Sequence, residues 1–261
     1  MTVPATDPPA LALRGLRKTF GQTVAVDHVD LDVPRGSFFG LVGPNGAGKT
    51  TTLSMATGLL RPDAGSAFID GHDVWGSGPA EAKRRVGILP DGQRLFDRLS
   101  GRELLTYAGL LRRMEPAVIA QRSAELLDVL DLTDAGSTLV IDYSAGMRKK
   151  IGLAAALLHS PRLLVLDEPF EAVDPVSGGA IRTILQRYVE AGGTVIFSSH
   201  VMELVERLCD QVAVIAAGRV LAAGAIDDVR SGRSLEDVFV ALVGGRRDTG
   251  EGLSWLGTSF A

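Results

Sequence analysis

Apolar and polar residues alternate over short distances near the start of the chain, which indicates β-strands. The alternating apolar positions are Val24, Val26, Val29, Leu31 and Val33. Strands are therefore predicted within residues 11–33, on either side of a turn at Gly21 and Gln22. Residues 37–42 form a compact apolar run that predicts a buried strand, and a helix is expected after the glycine-rich segment that follows, ending near Gly58.

The middle of the chain, from about residue 92 to residue 160, changes to the longer period of helices. Ser100 and Glu103 have the spacing of a capping box, which predicts the start of a first helix. Pro116 suits the first turn of a second helix, and Ser144 is expected to cap a third helix that stops before Pro161. The apolar faces are predicted at Leu104, Ala108 and Leu111 in the first helix and at Ile119, Leu126, Leu127 and Leu130 in the second.

Strands return after this helical segment. Residues 163–166 and 194–197 are almost entirely apolar, as expected of central parallel strands that are covered on both faces. Residues 212–215 and 219–222 flank a short turn and predict a hairpin. A last helical stripe consists of Leu235, Val238, Phe239 and Leu242. The pattern as a whole predicts an α/β core with an inserted all-helical segment, in which ligands bind at the carboxyl ends of the strands.

The chain is accordingly expected to divide into four parts. Residues 1–10 are predicted to be a disordered N-terminus, and residues 11–91 and 161–225 to form the core. Residues 92–160 are predicted to be the helical subdomain, and residues 226–261 a C-terminal helix with a loose tail.

Composition narrows the class of protein. With 261 residues, of which 46% are hydrophobic and 22% charged, the chain is expected to fold around a core of native size. A net charge of −4 argues against broad electrostatic binding of nucleic acid. The single cysteine, Cys209, excludes an internal disulfide and fits the cytosol. Neither a secretion signal in residues 1–10 nor a membrane span in the most apolar region, residues 151–166, is expected, so the chain is predicted to be soluble or a peripheral subunit.

A phosphate-binding loop is the first candidate for chemistry. Residues 43–50 match G-x-x-x-x-G-K-[ST] at every fixed position. Glycines allow the backbone N–H groups to surround a phosphate, Lys49 adds a positive charge for the β and γ phosphates, and Thr50 offers a hydroxyl to Mg²⁺. A GTPase is excluded because its Asn-Lys-x-Asp base reader cannot exist in a chain whose only asparagine is Asn45. The predicted nucleotide-binding residues are Gly43, Pro44, Asn45, Gly46, Ala47, Gly48, Lys49, Thr50 and Thr51.

Two acidic residues and a histidine follow the central strands. Asp167 is the first acid after residues 163–166 and is predicted to bind the metal. Glu168 is predicted to polarise the attacking water, with an extended backbone favoured by the proline at position 169. His200 ends the next apolar strand, and its position favours a contact with the γ-phosphate.

With these motifs in order, the chain resembles the ATP-binding subunits of ABC transporters over roughly residues 11–225. Residues 143–147, Tyr-Ser-Ala-Gly-Met, lie where that family has its signature sequence, and residues 171–174 lie where it has its D-loop. The resemblance implies a P-loop NTPase core with a mostly parallel central sheet, an antiparallel β-subdomain and an inserted helical subdomain. It also implies that Phe20 stacks on adenine and that His200 is the switch histidine.

The resemblance implies a dimer as well. In the family, Ser144, Ala145 and Gly146 of one subunit complete the ATP site of a second subunit, and two copies close head to tail around two ATP molecules with Mg²⁺. A cap that serves only its own helix is the alternative role for Ser144. The partner is expected to be a second nucleotide-binding subunit, either identical or different.

Several positions depart from the family pattern. Asp91 stands where a glutamine is expected, with Gln93 two residues later, and an acid there could bind the metal or a water. The other departures are Ala145, Met147, Lys149, Lys150 and Glu171. These changes resemble the subgroup that energises exporters of drugs, antibiotics or polymers, and they leave open a slower ATPase or a non-identical partner.

The implied function is ATP hydrolysis that drives a separate transmembrane permease, with the subunit held at the inner face of the cell membrane. The permease is expected to contact residues 91–96, where Leu95 and Phe96 are either apolar anchors or packed inside the insert. The alternatives are a non-transport ATPase of the same type acting on nucleic acid or ribosomes, and a weakly active regulatory partner in a heterodimer. No nucleic acid partner is expected.

Overall fold

A computed structural model describes residues 8–92 and 95–244 of the chain. The first of its two sheets is antiparallel and has the strand order β2-β1-β4-β5. Its strands are β1 (Leu11–Phe20), β2 (Thr23–Val33), β4 (Ala64–Ile69) and β5 (His72–Asp73). β1 and β2 pair around the predicted turn, with Phe20 opposite Thr23.

The second sheet has six strands in the order β10-β9-β3-β8-β7-β6. These strands are β3 (Phe38–Val42), β6 (Val86–Leu89), β7 (Leu163–Leu166), β8 (Thr194–Ser199), β9 (Gln211–Ala216) and β10 (Arg219–Ala225). All neighbours are parallel except β9 and β10, which form the predicted hairpin. Every residue of β3, β7 and β8 is buried, because helices and the first sheet cover both faces.

The helices fall into a core set and an inserted set. Those of the core are α1 (Lys49–Ala56), α2 (Pro79–Arg85), α6 (Pro175–Glu190), α7 (Met202–Leu208), α8 (Ile226–Arg230) and α9 (Leu235–Val243). Those of the insert, between β6 and β7, are α3 (Gly101–Leu111), α4 (Pro116–Val129) and α5 (Ala145–Leu157). The predicted mixed fold, with a mostly parallel sheet, an antiparallel sheet and inserted helices, is therefore confirmed.

The apolar face of α3 differs from the predicted one. Leu111 is 66% exposed, while Leu105 and Gly109 are buried beside Leu104. The reason is the close packing of α3 on α4: a Cβ atom at Gly109 would lie 2.6 Å from the side chain of Ile119. The prediction that Leu111 belongs to the buried face was wrong because the helix turns its glycine, not its last leucine, toward the neighbour.

Residues 8–10, the last part of the predicted disordered N-terminus, are among the described residues. Ala10 is buried, and its N–H donates to the Val33 carbonyl at 2.9 Å. Residues 1–7, 93–94 and 245–261, which include Gln93, lie outside the described residues. No helix within the described ranges has the length and apolar character that crossing a membrane requires.

Candidate active site

The phosphate-loop segment connects β3 to α1 at the carboxyl end of the parallel sheet. Gly48 caps α1 with a φ of 102° and offers no side-chain hydrogen bond, so the first N–H groups of the helix are open to an external acceptor. A Cβ atom at Gly48 would lie 2.5 Å from the Ala25 carbonyl oxygen, so glycine is required by space as well as by its φ. The loop presents backbone donors and a helix N-terminus to the same point, which is an arrangement that suits phosphate.

Lys49 crosses beneath this loop. Its side chain is only 6% exposed, and its ammonium donates to the carbonyl oxygens of Gly43 at 2.8 Å and Pro44 at 3.2 Å. The same Nζ lies 3.5 Å from Oε1 of Glu168. The buried positive charge is thus surrounded by protein oxygens and stands between the loop and the acidic pair.

One serine hydroxyl connects the two acidic residues. The Ser198 Oγ donates to Oδ1 of Asp167, which is buried, and accepts a hydrogen bond from the Glu168 N–H at 2.9 Å. Asp167 is also held by its own N–H, which donates to the Leu89 carbonyl at 2.7 Å. Ser198 was not predicted as a site residue. The signal for it was a hydroxyl inside a fully buried strand, two residues before His200.

The backbone of Glu168 differs from the prediction. Its φ is 46°, in the left-handed region, so the expected extended conformation was wrong. Pro169 disfavours the right-handed helical region for Glu168 but leaves the left-handed region accessible. A non-glycine residue held there costs about 1–3 kcal/mol, which the surrounding contacts must offset. In this conformation the two oxygens of the carboxylate lie near Lys49 and near His200, respectively.

His200 follows β8 directly and completes this group. Its Nδ1 lies 3.2 Å from Oε2 of Glu168, and its side chain is 40% exposed. The ring is therefore anchored at one nitrogen by the carboxylate while much of its surface faces the solvent. A carboxylate, a lysine and a half-exposed imidazole together can bind an anionic group and accept a proton from water.

A cavity of about 420 Å³ brings many of the predicted residues together. Its lining combines the two sheets, because Phe20 and Ala25 belong to β1 and β2 of the antiparallel sheet and the other residues follow strands of the parallel sheet. The predicted residues along it are Phe20, Asn45, Gly46, Ala47, Gly48, Lys49, Thr50, Thr51, Asp91, Glu168 and His200. Those that do not line it are Gly43, Pro44, Asp167, Ser144, Ala145 and Gly146.

Similarity to known proteins agrees with this geometry. The sequence model of the family described as ABC transporter matches residues 26–171. The chain belongs to the ABC transporter family. It is similar to the daunorubicin/doxorubicin resistance ATP-binding protein DrrA of Streptomyces peucetius, with 40% identity over 222 residues that cover 85% of this chain and 67% of the relative.

Two further relatives support the same family. The Nod factor export ATP-binding protein I of Cupriavidus metallidurans is 40% identical over 214 residues, which cover 82% of this chain and 70% of the relative. A solved ATP-binding subunit of an ABC transporter superposes with a TM-score of 0.83 at 30% identity, covering 90% of this chain and 99% of that structure. The chain is thus an ABC-type ATPase that binds nucleotide, as its motifs predicted.

The signature residues of this ABC ATPase lie away from its own cavity. Ser144 caps α5, and its Oγ accepts a hydrogen bond from the Met147 N–H at 3.2 Å. Gly146 lies near the cap of α6, because a Cβ atom on it would be 3.6 Å from Oδ2 of Asp174. Backbone hydrogen bonds from Ser177 and Val176 lower the pKa of Asp174, so this cap is charged at neutral pH.

The oxygen ligands that suit Mg²⁺ are divided between two places. The cavity holds Thr50 and Asp91, whereas Asp167 lies behind it against Ser198. Within residues 8–92 and 95–244, no three His, Cys, Asp or Glu side chains form a metal-binding group. The hydroxyl and carboxylate donors nevertheless fit Mg²⁺, which usually takes one or two carboxylates and completes its shell with water and substrate phosphates.

Proposed function

We propose that this ABC ATPase is the ATP-hydrolysing subunit of an exporter and drives a separate transmembrane permease. The observation that supports the proposal is that the cavity contains only some of the residues expected at an ATP site. The cavity gathers the phosphate loop, Glu168 and His200, while Ser144 and its helix N-terminus lie outside it. The relatives named for drug resistance and Nod factor export support transport rather than a role on nucleic acid or ribosomes.

Each side of the cavity has a part in hydrolysis under this proposal. Phe20, 51% exposed at the rim, stacks on the adenine, and the loop N–H groups with Lys49 bind the phosphates. Thr50 and Asp167 would hold Mg²⁺, which would neutralise phosphate charge, and Asp91 would be a further ligand for the metal or its water. Glu168 accepts the proton of the attacking water, and His200 contacts the γ-phosphate and orients the carboxylate.

A second copy or a similar subunit supplies the missing side. The N-terminus of α5, with Ser144, Ala145 and Gly146, offers a hydroxyl and free N–H groups that suit an anion. Since these residues do not line the cavity of their own chain, they close the cavity of a partner in a head-to-tail dimer. We also propose that residues 11–91 and 161–225 form the ATP-binding core and that residues 92–160 form the inserted subdomain.

A groove of about 930 Å³ marks the surface proposed for the permease. It is lined by Val86 and Ile88 of β6, the strand that precedes the predicted contact region in the sequence, and the exposed Leu59 and Leu111 contribute apolar area to it. Phe96 remains a candidate anchor because it is 55% exposed. Its ring packs against the ring of Tyr107 in a T-shaped arrangement. Leu95 instead packs against the core cluster. Docking here places the subunit at the inner face of the membrane.

The catalytic set argues against the weakly active alternative. Glu168, Lys49 and His200 are all present, and contacts within the chain hold them together. A regulatory subunit with a degraded site would be expected to lack one of these groups, so we propose an active ATPase.

The proposal is tested with Glu168→Gln, which keeps the size of the side chain and removes the base. We expect the variant to bind ATP with nearly normal affinity, to hydrolyse it about 10²–10⁴ times more slowly, and to accumulate as an ATP-bound dimer in light scattering. Glu190→Gln, at the exposed end of α6, is the matched control and should behave as the wild type. Unchanged turnover in Glu168→Gln would remove Glu168 from the base role.

A further inference from the structure

Lys149 reaches from the inserted helices into the catalytic loop. It lies in the first turns of α5, and its side chain is only 17% exposed. Its ammonium donates to the backbone carbonyl oxygen of Glu168 at 2.8 Å and lies 3.5 Å from Oδ1 of Asp91. One side chain therefore joins α5 to the segments that follow β7 and β6.

The contact falls on the one peptide of the acidic pair that is strained. Glu168 has a φ of 46°, and such a conformation persists only where the surroundings hold it. Its N–H is fixed by Ser198, and its carbonyl accepts from the Glu171 N–H at 3.2 Å as well as from Lys149. A hydrogen bond from an ammonium group is stronger than one between neutral groups, so Lys149 makes a large contribution to this conformation.

Asp91 contributes less than Glu168 to the position of the Lys149 ammonium. Its side chain is 45% exposed and its oxygen is 3.5 Å from the ammonium, so solvent screens the attraction. The ion pair with Asp91 orients Lys149 at the rim of the cavity, while the hydrogen bond to the Glu168 carbonyl contributes most of the attraction.

The backbone conformation of Glu168 determines where its carboxylate lies. With this φ, Oε1 faces Lys49 and Oε2 faces His200 across the cavity. Rotation of the peptide would move both oxygens, and a displacement of about 1 Å in a reacting group can cost about 10²-fold in rate.

We propose that Lys149 is a positioning residue, which holds the left-handed peptide of Glu168 and thereby couples the position of α5 to the position of the catalytic carboxylate. The proposal rests on the role of Glu168 as the base. It implies that a movement of the insert, such as the one needed to bring α5 against a partner's nucleotide, changes the position of the Glu168 carboxylate. Lys149 itself touches no reacting atom.

The neighbouring lysine provides a matched control. Lys150 is more deeply buried, with a side chain that is 8% exposed, and its ammonium lies 4.0 Å from Oδ2 of Asp131, which is almost fully exposed. Lys149→Met and Lys150→Met remove the same charge from adjacent positions of one helix and keep most of the apolar stem. Lys149→Arg keeps a charge and hydrogen-bond donors at the site.

The test measures ATP turnover, ATP affinity and hydrogen exchange on the full-length chain, alone or with its membrane partner, in whichever preparation the wild type hydrolyses ATP. For Lys149→Met we expect kcat to fall about 10- to 100-fold with the Kd for ATP within about twofold of wild type. Amides of residues 168–171 should exchange faster without nucleotide. Lys149→Arg should restore most of kcat, and Lys150→Met should match the wild type in both measurements.

Three outcomes would overturn the inference. One is wild-type kcat and exchange in Lys149→Met, and another is an equal loss in Lys150→Met, which would indicate general damage to α5. The third is a loss of ATP affinity as large as the loss of kcat, which would indicate a binding role. Glu168→Gln in the same assay separates the two proposals: if it is inactive while Lys149→Met is normal, only the role of Lys149 fails, and if it retains full turnover, both roles fail.

Discussion

At the scale of single residues, the site depends on side chains that satisfy several partners at once. Ser198 connects Asp167 and Glu168 through one hydroxyl, and Lys49 connects two loop carbonyls to the Glu168 carboxylate. Such groups are buried or half-buried, so each loses most of its water and must be satisfied by the protein. The loss of one member therefore leaves the others unsatisfied.

Lys49→Ala tests the phosphate-binding role at this scale. The ammonium is the positive charge nearest to the loop in the described cavity, so its loss should weaken ATP binding by about 3–4 kcal/mol, as for other charge-stabilising donors. Isothermal titration calorimetry with ATP would measure the change. Lys83→Ala, in the groove rather than in the cavity, should keep normal affinity, and normal affinity in Lys49→Ala would contradict the assignment.

At the scale of elements, short polar contacts fix where helices begin and how they meet the sheet. Ser100 and Glu103 form the predicted capping box of α3, in which each side chain accepts a hydrogen bond from the backbone N–H of the other residue. Ser144 caps α5 in the same manner. At the other end of α5, His159 lies 3.1 Å through Nε2 from the Val86 carbonyl and so joins the insert to the first residue of β6.

This joint predicts a pH dependence of stability. Burial, assisted by the charge of Arg112, lowers the pKa of His159 to about 4. Nδ1 has no hydrogen-bond partner among the described residues, so a proton there would be buried and unpaired. Because the folded pKa is below the unfolded value of about 6.5, the contribution to stability is fully present above pH 6.5 and is lost as the pH falls toward 4.

His159→Gln isolates this contribution, since the amide can still donate to Val86 but does not titrate. The free energy of unfolding of the wild type should fall by about 2 kcal/mol relative to the variant between about pH 7.5 and pH 4.5. Urea unfolding at both pH values would measure the difference. A difference that stays constant with pH would show that the pKa of His159 is the same in the folded and unfolded states.

At the scale of the whole molecule, two sheets and an insert place the catalytic groups and the signature helix on separate surfaces. The cavity collects residues from the end of β1 and from the loops after β3, β6, β7 and β8. Ser144 lies at the N-terminus of α5 and does not reach this cavity. A chain built in this way is expected to need a second subunit for a closed site.

Ser144→Arg tests that expectation. A large cation in place of the serine should block closure of the dimer but leave ATP binding by the monomer intact, because Ser144 does not line its own cavity. The measurement is ATP-dependent dimerisation by light scattering in the Glu168→Gln background. Ser234→Arg, which removes the cap of α9 at a similar cost of about 1 kcal/mol, controls for damage to a helix start. Dimerisation that persists in Ser144→Arg would disprove the role in a partner's site.

Features that depend only on neighbouring residues could be predicted from the order of the amino acids. The phosphate loop, the caps at Ser100 and Ser144 and the buried strands were all predicted, because glycine patterns, cap spacing and apolar runs act within a few residues. Elements with weaker local signals were missed: the short strand β6 is interrupted by Gly87, and α6 contains Gly178 and Gly179 near its start. Local patterns are weak signals for such short or glycine-containing segments.

The contacts that hold the site together join residues that are far apart in the sequence. Ser198 bridges the acidic pair from 31 residues beyond Asp167, and Lys149 reaches Glu168 across 19 residues. The left-handed backbone of Glu168 and the exposure of the Leu111 side chain likewise follow from contacts between elements. Contacts of this kind form when strands and helices pack, and no periodicity along the chain encodes which side chains then meet.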